Sequence, residues 1–323
     1  MTQLGNILSE LNTIQETLQN SNSSNFSIYF LKRNKDKEAI TYEVLKSIRT
    51  PEMAESLKQD IVEYTQKICN RVKKIDYKKA LSMRRGELHY INWNEVPNGP
   101  SIIDQCVSTN SSKLTSSDEI NSELWGYVVV ANFPDKKIFA FNKYTKSELI
   151  NFRKRYYMIG DSITALKKNK YFELEKSYNA IVMIPTQSNE NMQNSILFVA
   201  QRFKFEDFFS YREYYQKYIN QQTPRLEQKK IIDDSNSLCE RCKSNFSYSL
   251  RYAKILESKK YETMTISKIK KYIKKYGLSV EIIDDKIKFE KTKIEEILEI
   301  LEECHYESEL TSTKYKALDK TEV

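Results

Sequence analysis

Two cysteines have the spacing that metal binding or redox chemistry uses. Cys239 and Cys242 are separated by two residues, as in many zinc ligand pairs and redox-active dithiols. A structural zinc site needs four ligands, but the chain holds no second pair of this spacing and only two histidines, His89 and His305. Cys304 and His305 could complete a four-ligand zinc site only if the fold brings them close to Cys239 and Cys242. We therefore favour Cys239 and Cys242 as ordinary cysteines that bind no metal, and we expect no metal or cofactor.

Acidic residues form two groups that nuclease chemistry would use. A metal-dependent nuclease needs several carboxylates that converge on divalent ions. Asp284-Asp285-Lys286 with Glu290 is the nearest set, but a hairpin turn is predicted there and aspartate is favoured in turns. We expect Glu206-Asp207 to lie at the start of a helix, whose positive end favours acids. We therefore predict no catalytic residue and keep a metal-dependent nuclease as the alternative.

Familiar catalytic and nucleotide-binding motifs are absent from the sequence. It contains no P-loop, G-x-S-x-G, H-E-x-x-H or dinucleotide fingerprint. Only six glycines occur among 323 residues, which argues against a glycine-rich loop that cradles phosphate. Because no pattern indicates a small-molecule substrate, we expect none, and surface charge becomes the more informative property.

The basic residues are clustered along the chain. The net charge is +8 and the isoelectric point about 8.9, values that permit a nucleic-acid or anionic-membrane partner but that AT-biased coding could also produce. Clustering is better evidence than the total charge, and three clusters stand out. They comprise Arg71, Lys73, Lys74, Lys78, Lys79, Arg84 and Arg85; then Arg153, Lys154, Arg155, Lys167, Lys168 and Lys170; and finally Lys268, Lys270, Lys271, Lys274 and Lys275.

The third cluster indicates a surface for nucleic acid. Its five lysines fall on a predicted helix whose other face is apolar and which precedes a predicted β-hairpin. Such lysines would displace counterions from a phosphate backbone, without sequence specificity, and the hairpin would resemble a wing. A solvated helix face is the commoner fate of a lysine run. Tyr77, Tyr156, Tyr157 and Tyr272 lie beside basic clusters, where they either pack in the core or stack on unpaired bases.

Hydrophobic periodicity predicts the elements that would position these residues. Leu4–Leu18 carries the apolar stripe of an amphipathic helix, and Phe26–Leu31 is predicted as a strand. Thr50-Pro51 favours the start of a second helix, because a hydroxyl cap precedes a proline at the first helical position. Trp125–Asn132 and Lys137–Phe141 are predicted as a hairpin.

The middle of the chain contains a second predicted strand pair, Ala180–Ile184 and Ile196–Ala200. This pair leads into a predicted helix over Phe203–Ile219 with aromatic residues along one face. Pro224, within the polar run Gln221–Leu238, favours a loop or hinge after that helix.

The C-terminal elements have clear start and stop signals. The spacing of apolar residues over Ile266–Tyr276 predicts a helix that ends at Gly277, and Leu278–Phe289 follows as a hairpin. Thr292 and Glu295 predict a capping box at the start of a last helix.

The order of these elements predicts an α+β fold of two mixed domains, residues 1–150 and 151–323, with antiparallel hairpins packed by amphipathic helices. The longest apolar run, Gly126–Phe133, is too short to span a membrane. No basic residue precedes Lys32, so the charged start of a signal peptide is missing. Five cysteines, an odd number, fit reduced thiols, and we expect a cytoplasmic protein.

Four regions carry a family resemblance: Trp125–Val130 with Phe139–Phe141, Tyr171–Leu174, Phe203–Tyr211 and Ser308–Tyr315. Together they are similar to the KwaB family of the bacterial Kiwa anti-phage system. The resemblance implies a cytoplasmic effector that binds DNA and forms homo-oligomers. It also implies a membrane-associated complex with KwaA, a small multi-span membrane protein, that restrains phage replication or expression.

The resemblance supplies no catalytic residues, so the candidate DNA-binding residues rest on charge clustering in this sequence. They are Arg153, Lys154, Arg155, Lys167, Lys168, Lys268, Lys270, Lys271, Lys274 and Lys275. A third hypothesis is a scaffold that docks on a protein through the N-terminal amphipathic helix and uses its basic residues against anionic lipid or an acidic partner. Its plainer alternative is that this helix packs on its own domain.

Overall fold

The chain folds into two compact units, each with its own core. In the computed structural model the described residues are 3–35, 40–46, 51–79, 83–107, 112–113, 124–143, 156–159, 162–165, 178–186 and 195–317. The first unit comprises Met1–Lys78 with Met83–Ser210, and the second comprises Lys79–Ser82 with Tyr211–Val323. Both units combine helices with antiparallel strands, so the predicted α+β class is confirmed.

The first unit is built on one large sheet. The described strands of this unit are β1 (Phe26–Lys35), β2 (Ile40–Lys46), β3 (Lys73–Asp76), β4 (Glu87–Asn92), β5 (Ser112–Lys113), β6 (Leu124–Asn132), β7 (Lys136–Lys143), β8 (Tyr156–Ile159), β9 (Ser162–Ala165), β10 (Ala180–Pro185) and β11 (Ile196–Val199). Strands β8 and β9 pair with each other, and the remaining described strands form a nine-stranded sheet in the order β3-β4-β11-β10-β7-β6-β1-β2-β5. Neighbours are antiparallel except for β3 with β4 and β2 with β5.

Helices α1 (Gln3–Gln19) and α2 (Pro51–Cys69) cover one face of this sheet. Their apolar stripes are buried in one core cluster with side chains of β1, β6, β7, β10 and β11. Ile14 of α1, Leu57 of α2 and Phe30 of β1 are fully buried there. The predicted N-terminal amphipathic helix is therefore confirmed, and its apolar face packs within its own unit, as the plainer alternative held.

The opposite face of the sheet is covered by α3 (Gly99–Val107) and α4 (Arg202–Phe208). Phe141 of β7 lies with its ring 5.6 Å from Phe208 and 5.1 Å from Phe209, both edge to face, and the Trp93 ring stacks on it at 5.9 Å. Gly126 of β6 permits this packing, because a Cβ at residue 126 would come within 2.8 Å of the Phe208 ring.

The predicted domain boundary at residue 150 lies outside the described residues. The compact units divide after Ser210, because β10 and β11 pair into the same sheet as β7 and β4. The single aromatic helix predicted over residues 203–219 is wrong, since α4 ends at Phe208 and Ser210 adopts a left-handed backbone with a φ of 61°. The phenylalanines thus pack against Phe141 on the sheet of the first unit, whereas Ile219 belongs to the core of the second.

The second unit is mostly helical and carries two small hairpins. Its elements are α5 (Tyr211–Gln228), α6 (Ser235–Lys243), α7 (Phe246–Ser258), α8 (Ile266–Tyr276), β12 (Ile282–Ile283), β13 (Lys286–Ile287), α9 (Ile294–Leu301), β14 (His305–Glu307) and β15 (Lys314–Lys316). Ile219, Tyr252, Leu256, Ile269 and Ile297 are among its buried core residues. None of the helices in the described part of the chain combines the length and apolar composition that a bilayer span requires.

Two sequence signals misplace helix ends in this unit. The predicted loop or hinge over residues 221–238 is wrong at its start, because α5 continues through Pro224 to Gln228. Ile219 and Leu226 are both fully buried, and the packing of this face outweighs the cost of a proline within a helix, about 3 kcal/mol. The predicted capping box of Thr292 and Glu295 is also wrong, since α9 begins at Ile294 with no side-chain cap.

Candidate nucleic-acid interface

Helix α8 carries the third basic cluster, and local signals define both of its ends. The Thr265 hydroxyl accepts a hydrogen bond from the Lys268 N–H, and Gly277 ends the helix with a left-handed φ of 68°. Ile269 is buried in the core of the second unit, while the five lysines are exposed. The spacing of apolar residues therefore turns the lysines outward, as predicted, and α8 contains no acidic residue.

The five lysines of α8 differ in what their ammonium groups contact. Lys270 Nζ lies 2.8 Å from Asp285 Oδ1, and Lys275 Nζ lies 2.9 Å from Glu307 Oε2. The hydrogen bond to Glu307 raises the pKa of Lys275. The ammonium groups of the remaining lysines form no ion pair or side-chain hydrogen bond within the described residues. These lysines are Lys268, Lys271 and Lys274.

The β12–β13 hairpin forms beside this helix, where the sequence predicts a wing. Asp284 and Asp285 form its turn with left-handed φ angles of 47° and 54°, which are typical of tight hairpin turns. Ile287 N–H donates to the Ile231 carbonyl over 2.8 Å, so the segment that joins α5 to α6 holds the hairpin in place. The salt bridge from Lys270 to Asp285 connects the hairpin turn to α8.

Two of the acidic residues considered for nuclease chemistry, Asp285 and Glu290, bind lysines. The hydrogen bond from Lys270 lowers the pKa of Asp285, and the hydrogen bond from Lys288, 2.8 Å from Glu290, lowers the pKa of that carboxyl. Within the described residues, no group of three or more histidine, cysteine, aspartate or glutamate side chains is arranged to hold a metal ion.

Tyr272 of α8 connects the helix to the β14–β15 hairpin, and its side chain is partly buried. Its hydroxyl accepts a hydrogen bond from the His305 N–H over 2.7 Å, and burial raises its pKa. The Tyr276 ring stacks on the His305 ring with centroids 5.3 Å apart. Of the two readings given to Tyr272, packing is therefore the one that the structure shows.

Some residues of the first basic cluster already bind other groups of the first unit. Arg71 Nη1 donates to the carbonyls of Glu87 and Ala200 over 2.7 and 2.9 Å. Lys78 Nζ lies 2.8 Å from Glu95 Oε1. Lys73, Arg84 and Arg85 are exposed. This cluster consequently offers fewer unpaired cations to a polyanion than its sequence suggests.

The second basic cluster lies outside the described residues. This holds for Arg153, Lys154, Arg155, Lys167, Lys168 and Lys170, and also for the Tyr171–Leu174 segment of the family resemblance. Tyr156 and Tyr157 are on β8, which pairs with β9. The proposed role of these basic residues in DNA binding stays a prediction.

Glu206 has a structural role that differs from the predicted one. It lies near the end of α4, where its carboxylate accepts hydrogen bonds from Arg202 Nε over 2.7 Å and from the Tyr77 hydroxyl over 2.8 Å. The Arg202 guanidinium also lies 4.3 Å above the Tyr77 ring. The expectation of acids at a helix start is wrong, and the i, i+4 spacing of Arg202 and Glu206 is the sequence signal that could have indicated the pair.

Cys239 and Cys242 lie on α6 and face the core of the second unit. Both are buried, and burial raises the pKa of the Cys242 thiol. A thiol with a raised pKa is a poor nucleophile and a poor metal ligand at neutral pH. Packing accounts for both residues.

Comparison with known proteins gives one family match. The family model described as Kiwa protein KwaB-like matches residues 121–311, which is more than half of the 323-residue chain. The matched region contains β6 and β7, the phenylalanine-rich α4, and the whole of α8. Searches among curated proteins and solved structures gave no match.

Proposed function

Since this chain belongs to the Kiwa protein KwaB-like family, we propose that it is a Kiwa defence effector that binds DNA without cleaving it. Family membership supports the broader role, a component of Kiwa antiviral defence that associates with other Kiwa components. The further proposal is a membrane-associated complex with a KwaA-like membrane protein, in which homo-oligomers of this chain restrain phage replication or expression.

The lysine face of α8 is the observation that supports DNA binding. Five lysines and no acid occupy an eleven-residue helix, and three of their ammonium groups are unpaired within the described residues. A phosphate backbone would supply the missing partners, and each contact would release condensed counterions. Lys271 and Lys274 lie one turn apart on the exposed face, so they can contact neighbouring phosphates of one strand.

Charge removal on α8 tests this function. We expect Lys271→Gln with Lys274→Gln to weaken binding of a labelled DNA duplex and to reduce the slope of log K against log salt by about 0.9 for each lost contact. Fluorescence anisotropy at several salt concentrations measures both effects. The loss should be similar for unrelated sequences, because phosphate contacts carry no sequence information.

The matched control removes the same charge elsewhere on the second unit. Lys217 and Lys229 are exposed lysines of α5 and the turn that follows it, so Lys217→Gln with Lys229→Gln should leave affinity within about twofold of the parent chain. Equal losses in the two double variants would indicate a diffuse charge effect and would count against α8. Cleavage of the duplex in the presence of magnesium would instead favour the nuclease alternative.

A further inference from the structure

We propose that one end of the large sheet in the first unit binds the surface of an anionic lipid bilayer directly, with Val72 and Phe203 inserted among the headgroups. The inference goes beyond the proposed function, because it gives this chain a membrane contact that requires no KwaA-like partner. It rests on two exposed apolar side chains that lie among exposed cations.

Val72 and Phe203 are far more exposed than most apolar residues. Val72, just before β3, is 90% exposed, and Phe203 of α4 is 74% exposed; no other large hydrophobic residue described in the first unit is as exposed as either. Helix α4 buries Phe205 and Phe208, so Phe203 lies on its outward side. Single exposed apolar residues are common on protein surfaces, so the position of these two relative to each other matters.

The strand register places both apolar residues at the same end of the sheet. Lys73 of β3 pairs with Glu87 of β4 in parallel, and β11 runs antiparallel to β4 on its other side. The start of β3, the start of β4 and the end of β11 therefore lie side by side, in a row about 10 Å wide. Val72 immediately precedes β3, and Phe203 closely follows the end of β11.

Arg71 joins the three segments that meet at this end. Its Nη1 donates to the Glu87 carbonyl over 2.7 Å and to the Ala200 carbonyl over 2.9 Å. The Glu87 N–H donates to the Arg84 carbonyl over 3.2 Å, and the Arg84 N–H donates to the Glu87 carboxylate over 2.8 Å. These bonds hold the segments together as one surface. We call this surface the basic tip, and it comprises residues 71–73, 84–87 and 200–203.

The exposed charge of the basic tip is positive. Lys73, Arg84 and Arg85 are exposed, and none of the three forms an ion pair within the described residues. Glu87 is the one acidic residue of these segments, and it is buried. The hydrogen bond from the Arg84 N–H lowers the pKa of the Glu87 carboxyl and keeps its charge within the fold. Exposed cations therefore adjoin Val72 without an exposed acid among them.

This combination is complementary to an anionic bilayer surface. Lysine and arginine attract acidic headgroups, and apolar side chains bury at the boundary between headgroups and acyl chains. A DNA duplex would pair with the cations, but its phosphate backbone offers Val72 and Phe203 no apolar surface on which to bury. An anionic bilayer satisfies both features of the basic tip at once, which is why we favour it.

The test measures binding of the full chain to lipid vesicles with no KwaA-like protein present. The probes are vesicles of equal parts phosphatidylcholine and phosphatidylglycerol, and vesicles of phosphatidylcholine alone, both followed by co-sedimentation. We expect the parent chain to bind the anionic vesicles more tightly, and Val72→Ser with Phe203→Ser to weaken this binding about tenfold or more. Arg84→Gln with Arg85→Gln should weaken it about fivefold for each lost charge.

Matched variants separate the basic tip from general effects. Val107 is an exposed apolar residue of α3 in the same unit, so Val107→Ser should leave vesicle binding within about twofold of the parent chain. Lys217→Gln with Lys229→Gln removes two exposed charges of the second unit and should have an equally small effect. Phe203→Trp should retain binding, and vesicles with brominated acyl chains should quench its added fluorescence. Retained binding without that quenching would overturn the insertion of residue 203.

The outcomes distinguish this inference from the proposed DNA binding. Failure of the parent chain to bind anionic vesicles would overturn the inference and leave DNA binding by α8 untouched. Lys271→Gln with Lys274→Gln should weaken duplex binding, but should weaken vesicle binding less than Arg84→Gln with Arg85→Gln does.

Two results would assign the basic tip to another occupant and show the inference to be wrong. If Arg84→Gln with Arg85→Gln weakens duplex binding but not vesicle binding, the basic tip contacts nucleic acid. If Val72→Ser with Phe203→Ser reduces self-association in analytical ultracentrifugation while vesicle binding is unchanged, the basic tip contacts a second copy of this chain.

Discussion

Arg71 and Lys271 show what decides whether a basic residue can meet a ligand. Arg71 donates to two backbone carbonyls that lie 16 and 129 residues away in sequence, whereas the ammonium group of Lys271 forms no bond within the described residues. A guanidinium that already satisfies buried carbonyls has little to offer a phosphate, because moving it would leave those acceptors unpaired. Charge counts at the level of sequence cannot make this distinction.

Glu10 supplies a prediction at the residue scale. Its carboxylate on α1 accepts a hydrogen bond from the Ile196 N–H over 3.0 Å, and burial raises its pKa from 4.5 to about 7. The free energy of unfolding should be highest below pH 4.5 with respect to this group and should fall as pH rises toward 7, because only the unfolded chain ionises freely there.

We expect Glu10→Gln to raise the free energy of unfolding at pH 8 by as much as about 3 kcal/mol, since the amide keeps the acceptor without the charge. At pH 5 the gain should be below about 1 kcal/mol, because the carboxyl in the folded chain is already neutral. Denaturant titrations at the two pH values measure this difference. Glu16→Gln, on an exposed position of the same helix, is the control, and an equal gain at both pH values would contradict the prediction.

At the scale of elements, the position of a helix end depends on which hydrogen-bond partners lie near its capping residues. Thr265 and Gly277 end α8 as their residue types indicate, because their capping contacts are local. Glu295 had a suitable residue type for a capping box, but its carboxylate accepts a hydrogen bond from Arg251 Nη1 of α7 over 2.6 Å. A charged donor on another helix thus replaced the local backbone donor.

Gly126 provides a prediction for the packing of α4 on the sheet. A Cβ there would overlap the Asn142 carbonyl and approach the Phe208 ring to 2.8 Å, and the carbonyl cannot move without disturbing the β6–β7 ladder. We expect Gly126→Ala to lower the free energy of unfolding by about 2 kcal/mol through overpacking. Thermal denaturation measures the change. Ser27→Ala, a small substitution on neighbouring β1, is the control and should change stability by less than about 1 kcal/mol.

At the scale of the whole molecule, the chain is organised around two cores. The first lies between the large sheet and its helices, and the second lies among the helices from α5 to α9. Helix α8, which carries the lysine face proposed to contact DNA, belongs to the second unit. The matched family region includes parts of both units.

Arg251 tests whether the second core forms its own cooperative unit. This buried arginine of α7 binds Glu302 through Nε and Nη2 and binds Glu295 through Nη1, which ties α7 to α9 and the residue after it. We expect Arg251→Met to lower the stability of this unit by about 3 kcal/mol, because the partly buried Glu302 loses its partner. Hydrogen exchange should accelerate at amides of α7 and α9 but not at those of β6 and β7.

The control for this substitution is Arg212→Met, which removes an exposed arginine of α5 in the same unit. It should leave exchange rates close to those of the parent chain. Faster exchange of β6 and β7 in the Arg251 variant would show that the two cores open together.

Sequence patterns were most reliable where the signal was local. The stripes of α1 and α8, the strands β6 and β7 and the hairpin turn at Asp284-Asp285 all follow from periodicity or turn chemistry within a few residues. The break at Ser210 and the continuation through Pro224 did not, because each depends on which core buries the flanking apolar residues. For the candidate site, the lysine face was predictable, but the ion pairs of Lys270 with Asp285 and of Lys275 with Glu307 depend on the tertiary structure.

The sequence by itself determined the family, the α+β class and the presence of a lysine face on α8, because these depend on residue order along short segments. Only the tertiary structure decided which cations are already paired, which strands are neighbours and which aromatic residues reach solvent. The reason is that salt bridges, strand order and burial join residues far apart in the chain, and their free energies depend on distances that no local pattern contains.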